Sequence, residues 1–283
     1  PHEIEEALAR DFDLTREPGA VDGALTTLVQ RVDEAFLEAA GPSLRIVANY
    51  AVGVNNVDLD AARRRGVVVS NTPDVLTLPT AELAVGLMLA LLRRIAEGDR
   101  FVRRKEEWQF SLEFMLGESL AGKEVLIVGP GRIGRETARL VEAFGARTRF
   151  AGRGVDLAGE VAAADVVSLH CPLTDETRHL VDERVLGAMR PSAILVNTAR
   201  GPIVDERALV RALARGELAG AALDVYEREP EVEEGLLALE NVVLSPHLGS
   251  ATRATRVAMG MLCVEALRAV LLESRVPANA VVS

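Results

Sequence analysis

Cysteine is almost absent from this chain, and so is lysine. Cys171 and Cys263 are the only thiols in 283 residues. They are too few for a disulfide framework and no Cys/His cluster at zinc spacing surrounds them, so a reducing compartment and no structural metal are expected. Lys105 and Lys123 are the only lysines, so arginine carries nearly all the positive charge. Positive charge is itself in deficit: 32 Lys and Arg against 42 Asp and Glu leave a formal net charge of -10. That sign argues against a nucleic-acid surface or an anionic membrane as partner, and it obliges an anionic small molecule to find a local basic residue. Long apolar runs are missing as well. The longest, Leu83 to Leu92, falls short of the roughly 20 residues that cross a bilayer, and no signal-peptide pattern opens the chain, so a cytoplasmic protein is expected. What is present is ordinary: 49% hydrophobic and 26% charged residues are the balance of a folded protein. At roughly 100 to 200 residues per domain, the length predicts two compact units.

Short β-branched runs alternate with longer amphipathic stretches, which is the pattern of an α/β protein with parallel sheets wrapped by helices. Strands are expected at Asp11–Thr15, Ala24–Val29, Leu44–Asn49 and Gly66–Ser70, with helices at Asp33–Ala40 and Asp58–Arg65. One long helix is expected over Thr80–Arg104. Its first half is apolar on every face and must be covered all round, at a domain junction, in a homodimer contact or within its own chain. A second series of strands follows at Glu124–Val128, Arg147–Ala151, Asp165–Leu169, Ala193–Thr198, Gly220–Val225 and Asn241–Ser245. Six such strands make a full dinucleotide-binding sheet. The last helix, Ala251–Glu273, and the tail Val276–Ser283 are expected to return to the first unit, giving domains at 1–79 completed by 254–283 and at 80–253. Two connections, Arg16–Gly23 and Gly152–Ala164, are short for a parallel crossover of about 10 to 12 residues. Residues are therefore expected to be missing from the chain near 16–20 and 152–156.

The first strand of the larger series runs into Gly129-Pro130-Gly131-Arg132-Ile133-Gly134 and then a helix. Gly129 permits the tight turn, Gly131 lets backbone amides approach a pyrophosphate, and Gly134 allows close helix packing. The helix N-terminus adds partial positive charge. An acid should close the next strand to hold the ribose hydroxyls of NAD, yet the sequence there is Ala151-Gly152-Arg153. Arg153 suits a 2′-phosphate and no carboxylate repels one, so NADP(H) is the preferred cofactor, with NAD(H) the alternative. The remaining polar signals follow strand ends, where an open α/β sheet places its ligand crevice: Thr198 and Arg200, Asp224, Glu229, and His247 with Gly249. Singly, each has a plain structural reading as a loop ion pair, a surface charge or a cap. Together they match what hydride transfer to a 2-keto acid requires.

The segments GPGRIG, HCPLT (His170–Thr174), NTARG (Asn197–Gly201), ALDVYEREP (Ala222–Pro230) and SPHLGSAT (Ser245–Thr252) resemble those of the D-isomer-specific 2-hydroxyacid dehydrogenases. ANYAVGVNNVD (Ala48–Asp58) and NTPDVLT (Asn71–Thr77) resemble the glyoxylate/hydroxypyruvate reductase branch. The resemblance covers nearly the whole chain from about Asp22. It implies a Rossmann dinucleotide-binding domain, a second, smaller flavodoxin-like α/β domain that holds substrate, and a cleft that closes over both ligands. It also implies a strand before Pro1 and longer connections at the two short places.

The implied chemistry is reduction of glyoxylate or hydroxypyruvate to the D-2-hydroxy acid. His247 donates the proton, Glu229 orients the imidazole and favours its charged form, and Arg200 grips the substrate carboxylate. Backbone amides at Val52 and Gly53 complete the carboxylate site. Gly129, Gly131, Arg132, Ile133, Gly134, Arg153, Thr198 and Gly249 hold the cofactor, joined by Asp224 near the nicotinamide amide, by Thr80 on the long helix, and by Cys171, with His170, under the adenine. No metal is implied. A homodimer is expected, with neither nucleic acid nor membrane as partner, and His2 and His179 are assigned to solvent. Two alternatives stand beside this reading. One is a 3-phosphoglycerate-type dehydrogenase, which would want basic residues that Val52–Asn56 does not supply. The other is a non-enzymatic dinucleotide sensor resembling a corepressor.

Overall fold

The computed structural model describes residues 1–16 and 19–283. The chain divides into two compact units, 1–76 with 250–283 and 77–249, against boundaries expected at 79/80 and 253/254.

The smaller unit runs α1 (His2–Ala9), β1 (Gly23–Thr26), α2 (Glu34–Ala39), β2 (Ile46–Asn49), α3 (Leu59–Arg64) and β3 (Val68–Ser70), and is completed by α11 (Arg253–Leu271) and β10 (Ala280–Val282). Its sheet has the order β1-β2-β3-β10, parallel except for β10. Alternation along the strands sends Val47 and Val69 into one core with Leu37, Ala61 and Ala62 of α2 and α3. On the opposite face, a Cβ on Gly23 would meet Ile46 of β2 and Leu267 and Leu271 of α11. Aspartates start the helices by accepting from the first-turn amides: Asp33 from Phe36 at 3.1 Å and Asp58 from Ala61 at 2.8 Å.

The larger unit holds α4 (Thr77–Leu92), α5 (Ile95–Arg103), β4 (Glu124–Val128), α6 (Arg132–Ala143), β5 (Arg147–Ala151), α7 (Leu157–Val161), β6 (Val166–Leu169), α8 (Glu183–Ala188), β7 (Ile194–Asn197), α9 (Glu206–Ala214), β8 (Gly220–Leu223), α10 (Glu234–Leu237) and β9 (Val242–Leu244). Six parallel strands lie in the order β5-β4-β6-β7-β8-β9. Winding reverses at β4, and the crevice beyond the carboxyl ends of such a sheet opens at that reversal. One face packs on α7, α8 and α9 through Leu126, Leu169, Leu195 and Leu223. The other packs on α4 and α6 through Val125, Ile127, Val166 and Val196.

Two expectations are corrected, the long helix and the strand at Asp11–Thr15. The long helix is two, because Arg94 turns left-handed at φ 54° and starts α5 while the Glu118 amide donates to the Leu92 carbonyl at 2.8 Å and ends α4. Of the covers open to the apolar surface of α4, its own unit supplies one: Val85, Leu87, Met88 and Leu92 belong to the sheet's core, while Leu78 is 44% exposed. Asp11–Thr15 is not a strand but the coil after α1. The helix seats on α11, where a Cβ on Gly260 would fall 1.9 Å from the Ile4 side chain. With a helix ahead of β1, no parallel crossover is needed there. Of the omission expected near 16–20, Glu17 and Pro18 lie outside the described residues. Near 152–156 the chain makes a turn at Arg153–Gly154 and enters the five-residue α7.

Candidate active site

The glycine fingerprint sits at the reversal point of the large sheet. Gly129 has φ +98°, and a Cβ there would lie 2.5 Å from the Cys171 amide nitrogen, so only glycine lets the turn lie against the loop after β6. Around Gly131 a Cβ would meet nothing within 4 Å, whereas at Gly134 it would fall 2.3 Å from the Gly129 carbonyl oxygen. The space above Gly131 is therefore open while the helix is drawn tight onto the turn, which fits a pyrophosphate lying on the N-terminus of α6. Polar groups at the neighbouring strand ends are buried without partners: Thr198 Oγ1 after β7, and His170 Nδ1 after β6. His170 Nε2 lies 2.9 Å from Ser168 Oγ. Burial pushes the imidazole down to about 4, so it is neutral, and pushes the Cys171 thiol up to about 11. These features fit a dinucleotide. Arg153 follows β5 with no ion pair among the described residues, and Arg135 stacks over Phe150 of that strand at 5.8 Å.

Further along the same sheet edge, three residues meet. His247 Nδ1 lies 2.7 Å from Glu229 Oε2, which leaves the imidazole Nε2 free to carry a transferable proton. The other Glu229 oxygen accepts from the Tyr226 amide at 3.0 Å. Burial alone would raise the Glu229 carboxyl, but His247, the Tyr226 amide and the charge of Arg200 together hold it below the usual range. Burial lowers Arg200 and Glu229 acts in the opposite direction. Arg200 makes no ion pair among the described residues, and its one hydrogen bond, from Nη1, goes to the Ala199 carbonyl at 2.6 Å. Most of its five donors thus remain for a ligand. Its backbone is fixed by Asn197, whose Nδ2 donates to the Arg200 carbonyl at 3.0 Å.

Asp224 proves to be occupied. Its carboxylate is buried and accepts from the Ser245 hydroxyl, from the Leu248 amide at 2.7 Å and from the Gly249 amide at 2.8 Å, while its carbonyl accepts from the His247 amide at 2.8 Å. This clamp holds His247 at φ +54°, a conformation that costs a non-glycine residue of order 1 kcal/mol or more. Thr80 donates to the Gly249 carbonyl at 3.2 Å. Val52 and Gly53 lie in the smaller unit, in the turn after β2. His179 is not free in solvent, because its Nε2 lies 2.8 Å from Glu227 Oε1; His2 pairs with Glu6 at 3.3 Å on the surface.

Two contacts of the site had no signal in the sequence, although Gly201 closes the NTARG segment. Glu206, the first residue of α9, is buried and accepts from the Glu227 amide at 2.6 Å, and Gly201 lies so close to that strap that a Cβ would be 1.8 Å from the Tyr226 carbonyl carbon. The contacts join residues 21 and 25 positions apart, beyond the reach of any local pattern. Among the described residues no cluster of His, Cys, Asp and Glu could hold a metal, and no helix is long and apolar enough to cross a membrane.

Comparison with known proteins agrees with this geometry. Residues 85–249 match the D-isomer specific 2-hydroxyacid dehydrogenase NAD binding domain. The chain is 44% identical over 278 residues to glyoxylate reductase of Thermococcus litoralis, covering 92% of this chain and 83% of the relative. It is 46% identical over 260 residues to glyoxylate reductase of Pyrococcus furiosus, covering 86% and 77%. Among solved structures, an NADPH-dependent glyoxylate/hydroxypyruvate reductase of Sinorhizobium meliloti, in complex with NADP and malonate, superposes with a TM-score of 0.87 at 36% identity, over 99% of this chain and 93% of that one. The chain belongs to the D-isomer specific 2-hydroxyacid dehydrogenase family, in its glyoxylate/hydroxypyruvate reductase branch.

Proposed function

We propose that this protein reduces a small 2-keto acid, glyoxylate or hydroxypyruvate, to the D-2-hydroxy acid, with NADPH preferred over NADH. The observation that carries this reading is the unpaired Arg200 guanidinium beside the hydrogen-bonded Glu229–His247 pair, on the sheet edge that also bears the glycine fingerprint. Gly129 to Gly134 with Arg132 and Ile133, together with Thr198 and Arg153, would hold the dinucleotide. When bound, a reduced nicotinamide supplies the hydride. Arg200 binds the substrate carboxylate bidentately and polarises the adjacent carbonyl. As the carbonyl oxygen gains negative charge, His247 Nε2 gives it a proton, and Glu229 keeps the ring aimed through its contact with Nδ1.

The NADPH preference rests on Arg153 and on the lack of an acid at the end of β5. Equal kcat/KM with NADH and NADPH would refute it. The domain roles follow the same reading, with residues 77–249 holding the dinucleotide and the turn at Val52 and Gly53 in the smaller unit receiving the carboxylate. A homodimer is part of the proposal, and its contact lies in and after α5: Val102, Trp108, Phe110, Leu112 and Leu116 are all more than half exposed, an apolar strip that a second copy would cover. Sedimentation of a single protomer would exclude it. A cytoplasmic location completes the reading and agrees with two free thiols.

The decisive assay mixes purified protein with glyoxylate and NADPH and follows nicotinamide absorbance. His247→Ala should lose about 10²- to 10⁴-fold in kcat and keep its affinity for the dinucleotide. Tight dinucleotide binding with no turnover of any 2-keto acid would instead favour the sensor.

A further inference from the structure

We propose that Asn49 and Asn71 are positioning residues that hold the turn at Val52–Val54 with its backbone amides outward, as a receptor for the substrate carboxylate. The inference rests on the proposed reduction of a 2-keto acid and adds the residues that build its anion site in the smaller unit. Asn49 is the last residue of β2, and its Nδ2 donates to the Gly53 carbonyl at 2.9 Å. Asn71, just past β3, donates from Nδ2 to the Val52 carbonyl at 2.8 Å. The only cis peptide among the described residues lies elsewhere, at Glu229–Pro230, and a trans peptide sets its N–H opposite its C=O. With these two carbonyls drawn toward the strand ends, and the Ala51 carbonyl accepting from the Thr72 amide at 3.0 Å, the amides of Val52, Gly53 and Val54 must face away from them. None of the three donates to a protein acceptor among the described residues, and all three residues are only partly buried. Successive unpaired backbone amides of this kind form an anion-binding concavity. No charged side chain lies between Val52 and Asn56, so no side-chain charge of the turn takes the place of its amides in attracting a carboxylate.

Both asparagines are fixed before any ligand arrives. Asn49 is fully buried, and its Oδ1 accepts from Asn56 Nδ2 at 3.1 Å and from Thr26 Oγ1 at 3.4 Å. Asn71 is bound to the returning tail in both directions: its amide donates to the Asn279 carbonyl at 3.2 Å, and Asn279 Nδ2 donates back to the Asn71 carbonyl at 2.6 Å. Anchors that are themselves anchored keep a binding geometry rigid.

The test compares two aldehydes of equal carbon length, glyoxylate and glycolaldehyde, the second lacking the carboxylate, for the wild-type protein and for Asn49→Ala and Asn71→Ala. The expected result is a fall of about 10- to 100-fold in kcat/KM for glyoxylate, mostly in KM, from the loss of one orienting hydrogen bond and the anion contacts it supports. Turnover of glycolaldehyde and the dinucleotide Kd should stay within about twofold, because neither uses the amides. Should the alanine chains fail to fold, Asn71→Leu keeps the approximate shape, removes the donor without adding a charge and gives the same comparison. A parallel fall for both aldehydes, or no fall for glyoxylate, overturns the role of the asparagines and leaves the function standing. A wild-type protein that turns over no 2-keto acid overturns both.

Discussion

Replacing Asp224 by asparagine changes one atom and should loosen the loop that carries His247. The two carboxylate oxygens accept from the Leu248 and Gly249 amides at 2.7 and 2.8 Å. In Asp224→Asn one oxygen becomes an NH2 group, and whichever way the amide lies, one of those two backbone donors faces another donor. Ser245 adapts, since its hydroxyl can accept as well as donate. The loss is therefore one hydrogen bond to a charged acceptor, worth about 1.5 to 3 kcal/mol. Since every 1.4 kcal/mol is tenfold, the amide affected should lose protection from hydrogen exchange by roughly 10- to 100-fold. Amides of β7 and β8 should keep theirs. Catalysis should suffer as well: His247 held at φ +54° without its clamp relaxes away from its aim, and a displacement of about 1 Å costs on the order of 10²-fold in kcat. The measurement is exchange read at Leu248 and Gly249 beside kcat and dinucleotide Kd. Unchanged protection together with a weakened dinucleotide would refute the argument and return Asp224 to a direct contact with the nicotinamide.

Two further outcomes follow from the strap beneath Glu229. Gly201→Ala would place a Cβ 1.8 Å from the Tyr226 carbonyl carbon and 1.9 Å from its oxygen; the strap must move, taking the Tyr226 amide from Glu229, and kcat should fall by about 10²-fold or more, which steady-state kinetics on the soluble fraction would check. Glu206 is raised above the usual carboxylate range, chiefly by burial. An acid so raised in the fold stabilises it only as pH falls through that folded value towards the unfolded one near 4.3, and weighs against it at neutral pH. Glu206→Gln keeps an acceptor for the Glu227 amide and removes the charge, so thermal unfolding should occur higher than in the wild type at pH 8, with the gap closing by pH 4; a gap independent of pH would refute the assignment.

The positions that sequence reading located are those whose signal is local. β4 and β5 lie at their expected residues, β4 because a short apolar run ending in glycine has few other solutions, and the fingerprint from Gly129 to Gly134 is recognisable because tight turns and close helix packing admit only glycine at fixed spacing. Arg200, Glu229 and His247 were legible because each follows a strand, and parallel strands deliver their ends to one edge.

What only the tertiary structure decided are contacts made across long stretches of chain. The break between α4 and α5 depends on Glu118 reaching Leu92, and the first helix owes its place to the missing side chain of Gly260. The occupied state of Asp224 and the asparagine anchors of the Val52–Val54 turn belong to the same class. Such contacts pair groups that no periodicity links, and their energies exist only once folding has brought the partners together. The sequence by itself thus determined the α/β layering, the dinucleotide fingerprint and which side chains are proposed to react. Their orientation was left to hydrogen bonds between distant residues, because direction, unlike burial, is not written in the hydrophobic pattern.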